Sequence, residues 1–387
     1  MNPRKKRILF FFSDTGGGHR SAAEAIREAF YRDYADLAEI VLVDAFKDTT
    51  PFPFNQTPKI YLPLTTYAEF LWATGFALTN HRLMRRASIA LVDLIANAGL
   101  RRVLREQSPD LVVNDHPIFS AAVCRAVESV CPQVPFVTVV TDLFTAHQLW
   151  YDPKTDLTIV PTDGARKVGE KIGVPNDKMQ VVGLPVSLKF LGNSKTREEH
   201  RTELGLDANM RTALIVGGGE GMGKLYDIAR AINDAKLPLQ LVIIAGRNQS
   251  LKEKLEQAPW QIPVCIQGFV TNMPDWMRAS DVIITKAGPG TICEALACGL
   301  PIILSGFLPG QEEGNVTFVQ KTQVGVLCRE PNEIARTLGT WLEPGNDALN
   351  RFEKRAGEVA RPHAALDIAK ILRDLLVSPD PRGFRRK

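Results

Sequence analysis

The sequence has no apolar run long enough to cross a bilayer. Its longest mainly apolar stretch near the middle, residues 70–78, is far short of the roughly 20 residues that a spanning helix needs. It also lacks the paired cysteine or histidine spacings that hold metals, and its six cysteines fall in apolar runs. We therefore expect no metal cofactor, reduced cysteines, and only peripheral contact with any membrane.

Excess positive charge is nearly confined to the two ends of the chain. The net charge is +4, and the chain would be net negative without eight basic side chains near its ends. These are Arg4, Lys5, Lys6, Arg7, Arg382, Arg385, Arg386 and Lys387. This distribution argues against a nucleic-acid-binding face and suits basic ends near an anionic membrane surface. Solubilising tails are the simpler alternative.

At 387 residues the chain exceeds what one hydrophobic core usually supports. Continuous apolar runs alternate with helical patterns in both halves, which predicts buried parallel strands joined by helices. The fold class is therefore α/β, with two doubly wound, Rossmann-like domains facing across a cleft. The predicted divisions are a first domain at 1–186, a linker at 187–209, a second domain at 210–345, and a C-terminal helix and basic tail at 346–387, the helix returning to the first domain.

Glycine-rich turns follow three of the predicted strands. The first reads SDTGGGH over residues 13–19 and opens a helix, but it has neither the dinucleotide-binding nor the P-loop spacing. The other two, at residues 217–223 and 286–291, precede helices in the second half. Backbone amides at helix starts bind phosphate, so this pair predicts a diphosphate site, with Glu294 placed to accept hydrogen bonds from ribose.

Three longer motifs carry a family resemblance. SDTGGGHRSAAEAI near the start, ITKAGPGTICEALACGLPII and PGQEEGN near the end resemble the monogalactosyldiacylglycerol synthase family. That resemblance implies the GT-B fold of glycosyltransferase family 28. It also implies transfer of galactose from UDP-galactose to the sn-3 hydroxyl of diacylglycerol, with inversion and without a metal.

The resemblance also implies a donor site. Glycines of the second and third turns would hold the diphosphate, residues after the third strand of the second domain would meet uracil, and two acceptor-rich side chains would hold the hexose. In this sequence they are Gly218, Gly219, Gly288, Gly290 and Thr291 for the diphosphate, Glu294 for the ribose, Phe269 and Val270 for the uracil, and Gln311 and Glu312 for the hexose.

Inverting transfer needs a base to take the acceptor's proton. His19 is the leading candidate, since it lies at the carboxyl end of the first predicted strand and an imidazole titrates near neutrality. His116 and Asp142 also follow predicted strands on that edge, so they are rival bases or acceptor-orienting groups.

An insertion between the second and third predicted strands is rich in aromatic residues, and Glu69 is its only acid from residue 49 to residue 92. Aromatic and basic side chains favour the membrane interface, so we predict that it docks on an anionic membrane and admits the lipid. A helical hairpin packed on the first domain is the alternative. The predicted acceptor and membrane residues are Gly17, Gly18, Phe52, Phe54, Trp72, Arg82, Arg85 and Arg86.

Other functions stay open at this stage. They are a UDP-glucose-dependent diacylglycerol glucosyltransferase, processive or not, a UDP-sugar epimerase, and a membrane-binding protein without activity. Unlike plant members of the family, the sequence shows no long leading segment that could serve as a transit peptide. We therefore expect a cytoplasmic enzyme, peripheral on the inner face of a bacterial cell membrane.

Overall fold

Strands and helices alternate along the computed structural model, which describes residues 4–192 and 194–378. In chain order the elements are β1 (Lys6–Phe12), α1 (Gly18–Tyr34), β2 (Ala38–Asp44), α2 (Ala45–Thr49), α3 (Thr57–Tyr67), α4 (Glu69–Thr79), α5 (Arg82–Gln107), β3 (Leu111–Asn114), α6 (Ser120–Val130), β4 (Phe136–Val139), β5 (Leu157–Val160), α7 (Asp163–Ile172), β6 (Met179–Val181), α8 (Arg197–Glu203), β7 (Thr212–Val216), α9 (Leu225–Asp234), β8 (Gln240–Ile244), α10 (Gln249–Glu256), β9 (Val264–Gln267), α11 (Met273–Arg278), β10 (Val282–Lys286), α12 (Pro289–Ala297), β11 (Ile302–Gly306), α13 (Glu313–Thr322), β12 (Gly325–Leu327), α14 (Pro331–Trp341), α15 (Ala348–Val359) and α16 (Ala364–Val377).

The strands form two parallel six-stranded sheets. The first has the order β2-β1-β3-β4-β5-β6 and the second β12-β11-β10-β7-β8-β9. In each sheet the strand order changes direction at the strand that comes first in the chain, β1 in one and β7 in the other. This is the pattern of doubly wound folds, in which ligands bind beyond the carboxyl ends of the strands. The α/β prediction is confirmed, and each sheet has one edge suited to a site.

Contacts divide the described residues into two compact units. The first contains residues 4–188, 308–314 and 363–378, and the second contains 189–192, 194–307 and 315–362. The short segment 308–314 differs from the predicted division, which put it in the second domain. The reason is local packing, because its side chains contact helices of the first unit, as described below.

The single C-terminal helix predicted within residues 346–387 is two helices, α15 and α16, separated by a break that contains Pro362. A proline lacks the amide hydrogen that would continue a helix. Helix α16 then packs on α1, and Ala365, Ile368 and Leu372 are fully buried in the core on one face of the first sheet.

The basic residues at the start of the chain are part of the fold. Arg4 donates to the backbone carbonyl of Ser108 and pairs with Asp110 at 3.1 Å, and Lys6 donates to the carbonyl of Leu376. This differs from the predicted basic tail, because β1 begins at Lys6 and holds these side chains. The C-terminal cations, Arg382, Arg385, Arg386 and Lys387, lie outside the described residues.

Candidate active site

The first glycine turn places His19 at the carboxyl end of β1. Gly16 and Gly17 have φ angles of 74° and 77°, a left-handed conformation that residues with a side chain rarely adopt. This turn lets α1 begin at Gly18, directly after the strand. The His19 ring is half-buried, and its Nδ1 lies 3.1 Å from the hydroxyl oxygen of Thr141, which follows β4.

The rings of His116, which was predicted on this edge, and of Trp150, which was not, lie next to the His19 ring. The ring centroids of His19 and His116 are 4.7 Å apart, and those of His19 and Trp150 are 5.9 Å apart. The Nε2 of His116 lies 3.3 Å from the hydroxyl of Thr15, in the glycine turn itself. Two of the three predicted base candidates therefore lie side by side.

Both imidazoles are neutral at physiological pH. Burial lowers the pKa of His19 to about 4, although a hydrogen bond with the backbone of Asp115 favours its charged form. Burial lowers the pKa of His116 well below its ordinary value, and the adjacent His19 lowers it further. A neutral imidazole has a lone pair that can accept a proton, which is the state that a general base requires.

Asp142, the third predicted candidate, is held by two hydrogen-bond donors. Its Oδ2 accepts hydrogen bonds from the indole nitrogen of Trp150 at 2.7 Å and from the amide of His147 at 3.1 Å. Burial raises its pKa, and these two hydrogen bonds oppose the rise. With one oxygen held by two donors, Asp142 orients Trp150 beside His19, and its role as a rival base or as an acceptor-orienting group stays a prediction.

Asp115 is a feature of this site that the sequence analysis did not single out. Its side chain is completely buried, and neither carboxylate oxygen has a hydrogen-bond partner. Burial therefore raises its pKa well above the ordinary value. Its position directly after a buried strand, in Asn114-Asp115-His116, is the feature of the sequence from which it could have been predicted at this site.

Replacing Asp115 with Asn is expected to change how stability depends on pH. The folded protein keeps the Asp115 proton to higher pH than the unfolded chain, so the wild type loses stability as the pH rises above the ordinary pKa of 3.8. The amide removes this loss, so the advantage of the variant in free energy of unfolding should grow as the pH rises above about 4. Urea unfolding at several pH values measures it.

Asp33 provides the control for that experiment. Its carboxylate is exposed, and a hydrogen bond with Arg32 lowers its pKa, so Asp33→Asn should give a small effect of the opposite sign. A difference between Asp115→Asn and the wild type that does not vary with pH would show that Asp115 is not held protonated.

In the second unit, the glycine turn after β7 interlocks with the turn after β8. A Cβ added at Gly221 would lie 2.0 Å from the carbonyl oxygen of Ala245, and one added at Gly246 would lie 2.4 Å from the carbonyl oxygen of Gly219. The amide of Arg247 also donates to the Gly219 carbonyl at 2.8 Å. Glycine is required here by close backbone contact, and the two turns form one rigid surface.

Arg247 adds a cation to this surface that the sequence analysis missed. Its guanidinium pairs with Glu220 at 2.8 Å and lies 4.2 Å from the ring centroid of Phe269. The Phe269 ring is 54% exposed. Side chains from the ends of β7, β8 and β9 thus meet at one edge, where the resemblance places the nucleotide.

The third glycine turn caps α12. Gly288 is the N-cap, and the first hydrogen bond of the helix runs from the amide of Ile292 to its carbonyl. The amides of Gly290 and Thr291 precede that bond, as the free amides of a helix start do. Glu294 lies further along the helix, and burial raises its pKa to about 7.

Residues 308–314, which carry Gln311 and Glu312, form a compact turn. The Glu312 carboxylate accepts a hydrogen bond from the amide of Leu308 at 2.8 Å, and the Glu312 amide donates to the Leu308 carbonyl at 2.9 Å. The Oε1 of Gln311 accepts from the hydroxyl of Tyr61 in α3 at 3.3 Å. The turn is therefore shaped both by its own backbone and by the insertion.

Comparison with known sequences assigns this chain to a protein family. Residues 19–186 match the model of the monogalactosyldiacylglycerol (MGDG) synthase family, and residues 212–358 match the glycosyltransferase family 28 C-terminal domain. Monogalactosyldiacylglycerol synthase 1, chloroplastic, of Arabidopsis thaliana is 37% identical over 382 residues, which cover 96% of this chain and 72% of that protein. The chain belongs to the monogalactosyldiacylglycerol synthase family. The predicted family and its enzyme class, a glycosyltransferase, are confirmed.

Solved structures support the GT-B fold expected of a monogalactosyldiacylglycerol synthase. Acinetobacter baumannii MurG has a TM-score of 0.63 at 14% identity and covers 95% of this chain and 99% of its own. A proposed UDP-N-acetylglucosamine 2-epimerase of Listeria monocytogenes has a TM-score of 0.64 at 15% identity and covers 97% of this chain and 98% of its own. Since the fold also serves an epimerase, only the sequence similarity selects the synthase family.

The part of the insertion that the structure describes presents several large apolar side chains to solvent. Among the described residues, nine of the exposed large hydrophobic side chains lie between residues 52 and 94. Phe52 is 79% exposed, Phe70 is 80% exposed and Leu94 is 82% exposed. In residues 4–192 and 194–378, no helix is both long enough and apolar enough to span a membrane.

Not every residue predicted for membrane contact lies on that surface. Arg85 donates to the backbone carbonyls of Gln148 at 3.2 Å and Tyr151 at 2.6 Å, so its guanidinium holds the insertion to the segment that follows β4. Trp72 is half-buried against Tyr61, whereas Phe54 and Arg86 are exposed. The side chain of Arg82 lies outside the described residues. The insertion thus combines an anchored inner side with an apolar outer side.

Proposed function

We propose that this protein transfers galactose from UDP-galactose to the sn-3 hydroxyl of 1,2-diacylglycerol, with inversion at the sugar carbon. The observation that carries the proposal is the neutral, half-buried imidazole of His19 beside Thr141 and His116, in a chain of the monogalactosyldiacylglycerol synthase family. Inverting transfer in one displacement needs one such base.

His19 takes the proton of the acceptor hydroxyl while that oxygen attacks C1 of galactose. The bond between C1 and the phosphate oxygen breaks, and UDP leaves with the electron pair from the opposite face. Thr141 and the Trp150 ring keep the imidazole in place, and Asp142 keeps Trp150 in place. His116 excludes water from one side of His19 and, being neutral, does not repel the proton that His19 accepts.

The leaving diphosphate is stabilised in this proposal without a metal. Free amides at the start of α12 and in the turn after β7 carry partial positive charge fixed in space, and Arg247 adds a full charge. Phosphate would compete with Glu220 for that guanidinium. The other donor contacts are proposed from the family resemblance: Gly218, Gly219, Gly288, Gly290 and Thr291 with the diphosphate, Glu294 with ribose, Phe269 and Val270 with uracil, and Gln311 and Glu312 with the hexose.

Glu294→Ala is expected to weaken UDP binding about 5- to 30-fold, the effect of losing one or two hydrogen bonds to a carboxylate. Because burial raises the pKa of Glu294 to about 7, the wild type should bind UDP more tightly as the pH rises through neutrality and the carboxylate forms. The difference in UDP affinity between the wild type and the variant should therefore grow as the pH rises through neutrality, whereas titration of the UDP phosphate affects both proteins alike. Calorimetric titration with UDP at pH values on both sides of 7 measures both effects.

Glu313→Ala is the matched control, since Glu313 is an acid at the start of α13, outside α12, and its carboxylate accepts a hydrogen bond from the amide of Gly310. Normal UDP affinity in Glu294→Ala would remove the ribose role and leave Glu294 as a structural residue of the helix.

The protein is proposed to work at the surface of an anionic membrane. Exposed apolar side chains of the insertion would enter the interface, and exposed basic side chains such as Arg86 would meet lipid head groups. Diacylglycerol resides in the bilayer, so docking there brings the acceptor to His19. The inner face of a bacterial cell membrane is the location proposed from the sequence.

Purified protein incubated with diacylglycerol in anionic vesicles and with each UDP-sugar in turn tests the function. Galactolipid from UDP-galactose is the expected product. Product from UDP-glucose alone would identify a glucosyltransferase, and conversion of the UDP-sugar without lipid would identify an epimerase. Binding to vesicles with neither reaction would leave a membrane-binding protein.

A further inference from the structure

The insertion is in direct contact with the turn proposed to hold the donor sugar. The hydroxyl of Tyr61 in α3 donates to Gln311 Oε1 at 3.3 Å. Gly310, with a φ angle of 81°, lies so close to Phe76 in α4 that an added Cβ would be 2.9 Å from that ring. Two successive residues of the turn therefore rest on two helices of the insertion.

Tyr61 also contacts the turn that carries the proposed base. A Cβ added at Gly16 would lie 3.0 Å from Tyr61 Cε1, so the edge of the tyrosine ring covers the backbone of the first glycine turn. The Trp72 ring packs edge-on against Tyr61, with centroids 5.1 Å apart and an angle of 87° between the planes. A single half-buried ring is thus fixed between Gly16, Trp72 and Gln311.

In the structure the Tyr61 hydroxyl binds the amide oxygen of Gln311. Burial raises the pKa of Tyr61 above its ordinary value, and the nearby carboxylates of Glu312 and Asp142 raise it further. The hydroxyl therefore keeps its hydrogen and donates to the amide oxygen of Gln311. The amide nitrogen, with its two hydrogens, is left to donate elsewhere.

We infer that Tyr61 is a positioning residue for the donor sugar: it fixes the Gln311 amide so that the nitrogen donates to the hexose hydroxyls. This inference rests on the proposed function, in which Gln311 contacts galactose. Galactose and glucose differ only in the direction of one hydroxyl, and a sugar site separates them by a few directed hydrogen bonds. A Gln311 amide free to rotate would donate to either hydroxyl.

Tyr61→Phe tests the inference because it removes only the hydroxyl and keeps the ring between Gly16 and Trp72. The affinity for UDP-galactose should fall about 3- to 10-fold, the effect of one hydrogen bond, while the affinity for UDP stays unchanged because UDP has no hexose. The ratio of kcat/KM for UDP-galactose to that for UDP-glucose should fall, with KM changing more than kcat. Tyr31→Phe is the control, because it removes a hydroxyl that accepts a hydrogen bond from the Ile40 amide. It should change neither the ratio of UDP-galactose affinity to UDP affinity nor the ratio of the two kcat/KM values.

Both nucleotides are titrated into the same sample, so the ratio of their affinities does not depend on the fraction of folded protein. In a Gln311→Ala background, Tyr61→Phe should have no further effect on UDP-galactose affinity. Equal losses for UDP and UDP-galactose, or the same loss with and without Gln311, would overturn the inference. A wild type that binds UDP-galactose but transfers no galactose would instead overturn the proposed function, and the binding ratio would still test Tyr61.

Discussion

Replacing His19 with Ala is expected to lower kcat for galactosyl transfer about 100- to 10,000-fold, the usual effect of removing a general base. The affinity for UDP should stay the same, because the residues proposed to bind the nucleotide lie in the second unit and His19 lies in the first. Steady-state kinetics with UDP-galactose and diacylglycerol vesicles gives kcat, and calorimetric titration gives the affinity for UDP.

His81→Ala is the matched control, since His81 is an exposed histidine of the same unit and should leave turnover unchanged. The pH profile gives a second measurement of the same claim. With the pKa of His19 lowered to about 4, kcat at saturating UDP-galactose should stay flat through neutrality and fall only in acid, as the imidazole becomes protonated. Unchanged turnover in His19→Ala would exclude it as the base, and a fall in kcat centred near 6.5 would show that its ring is not desolvated.

Introducing acids on the outer side of the insertion is expected to release the protein from membranes. Phe70 and Leu71 are 80% and 64% exposed on α4, so both side chains can enter a bilayer interface. The double variant Phe70→Asp, Leu71→Asp should bind anionic vesicles about 100-fold more weakly, because it loses two apolar side chains and adds two repelled charges. Vesicle co-sedimentation at fixed salt measures the change.

Val181→Asp serves as the control for membrane binding. Val181 is an exposed apolar residue of β6, outside the insertion, and its replacement should leave vesicle binding unchanged. The double variant should keep its turnover on a short-chain diacylglycerol dispersed in detergent, because no bilayer is involved there. Undiminished vesicle binding by the double variant would rule out α4 as the docking surface.

The strands of both sheets could be predicted from the sequence because the apolar pattern of each strand lies within a few consecutive residues. Continuous apolar runs such as residues 213–216 and 282–285 are typical of strands buried on both faces, and both are strands of the second sheet. The strand ends then predicted which residues share an edge, which is how His19, His116 and Asp142 were placed together. Glycines at 16, 17, 218 and 221 indicated turns, and all four have positive φ angles.

The remaining features depend on contacts between residues far apart in the chain. Tyr61 and Gln311 are 250 residues apart, so no local pattern pairs them. Arg85 was predicted to contact the membrane because it is a basic residue in an aromatic-rich insertion. Only its hydrogen bonds to residues near Trp150 show that it anchors the insertion. Burial of Asp115 without a partner is likewise a property of the packed sheet edge rather than of its sequence neighbours.

The configuration of the sugar in the lipid product tests the central claim most directly. UDP-α-galactose and diacylglycerol should give a β-galactolipid, because His19 activates the acceptor hydroxyl for a single attack opposite the departing UDP. Proton NMR of the purified product reads this from the coupling of the anomeric hydrogen, which is large for the β and small for the α configuration. An α-linked product would contradict direct displacement with His19 as the base.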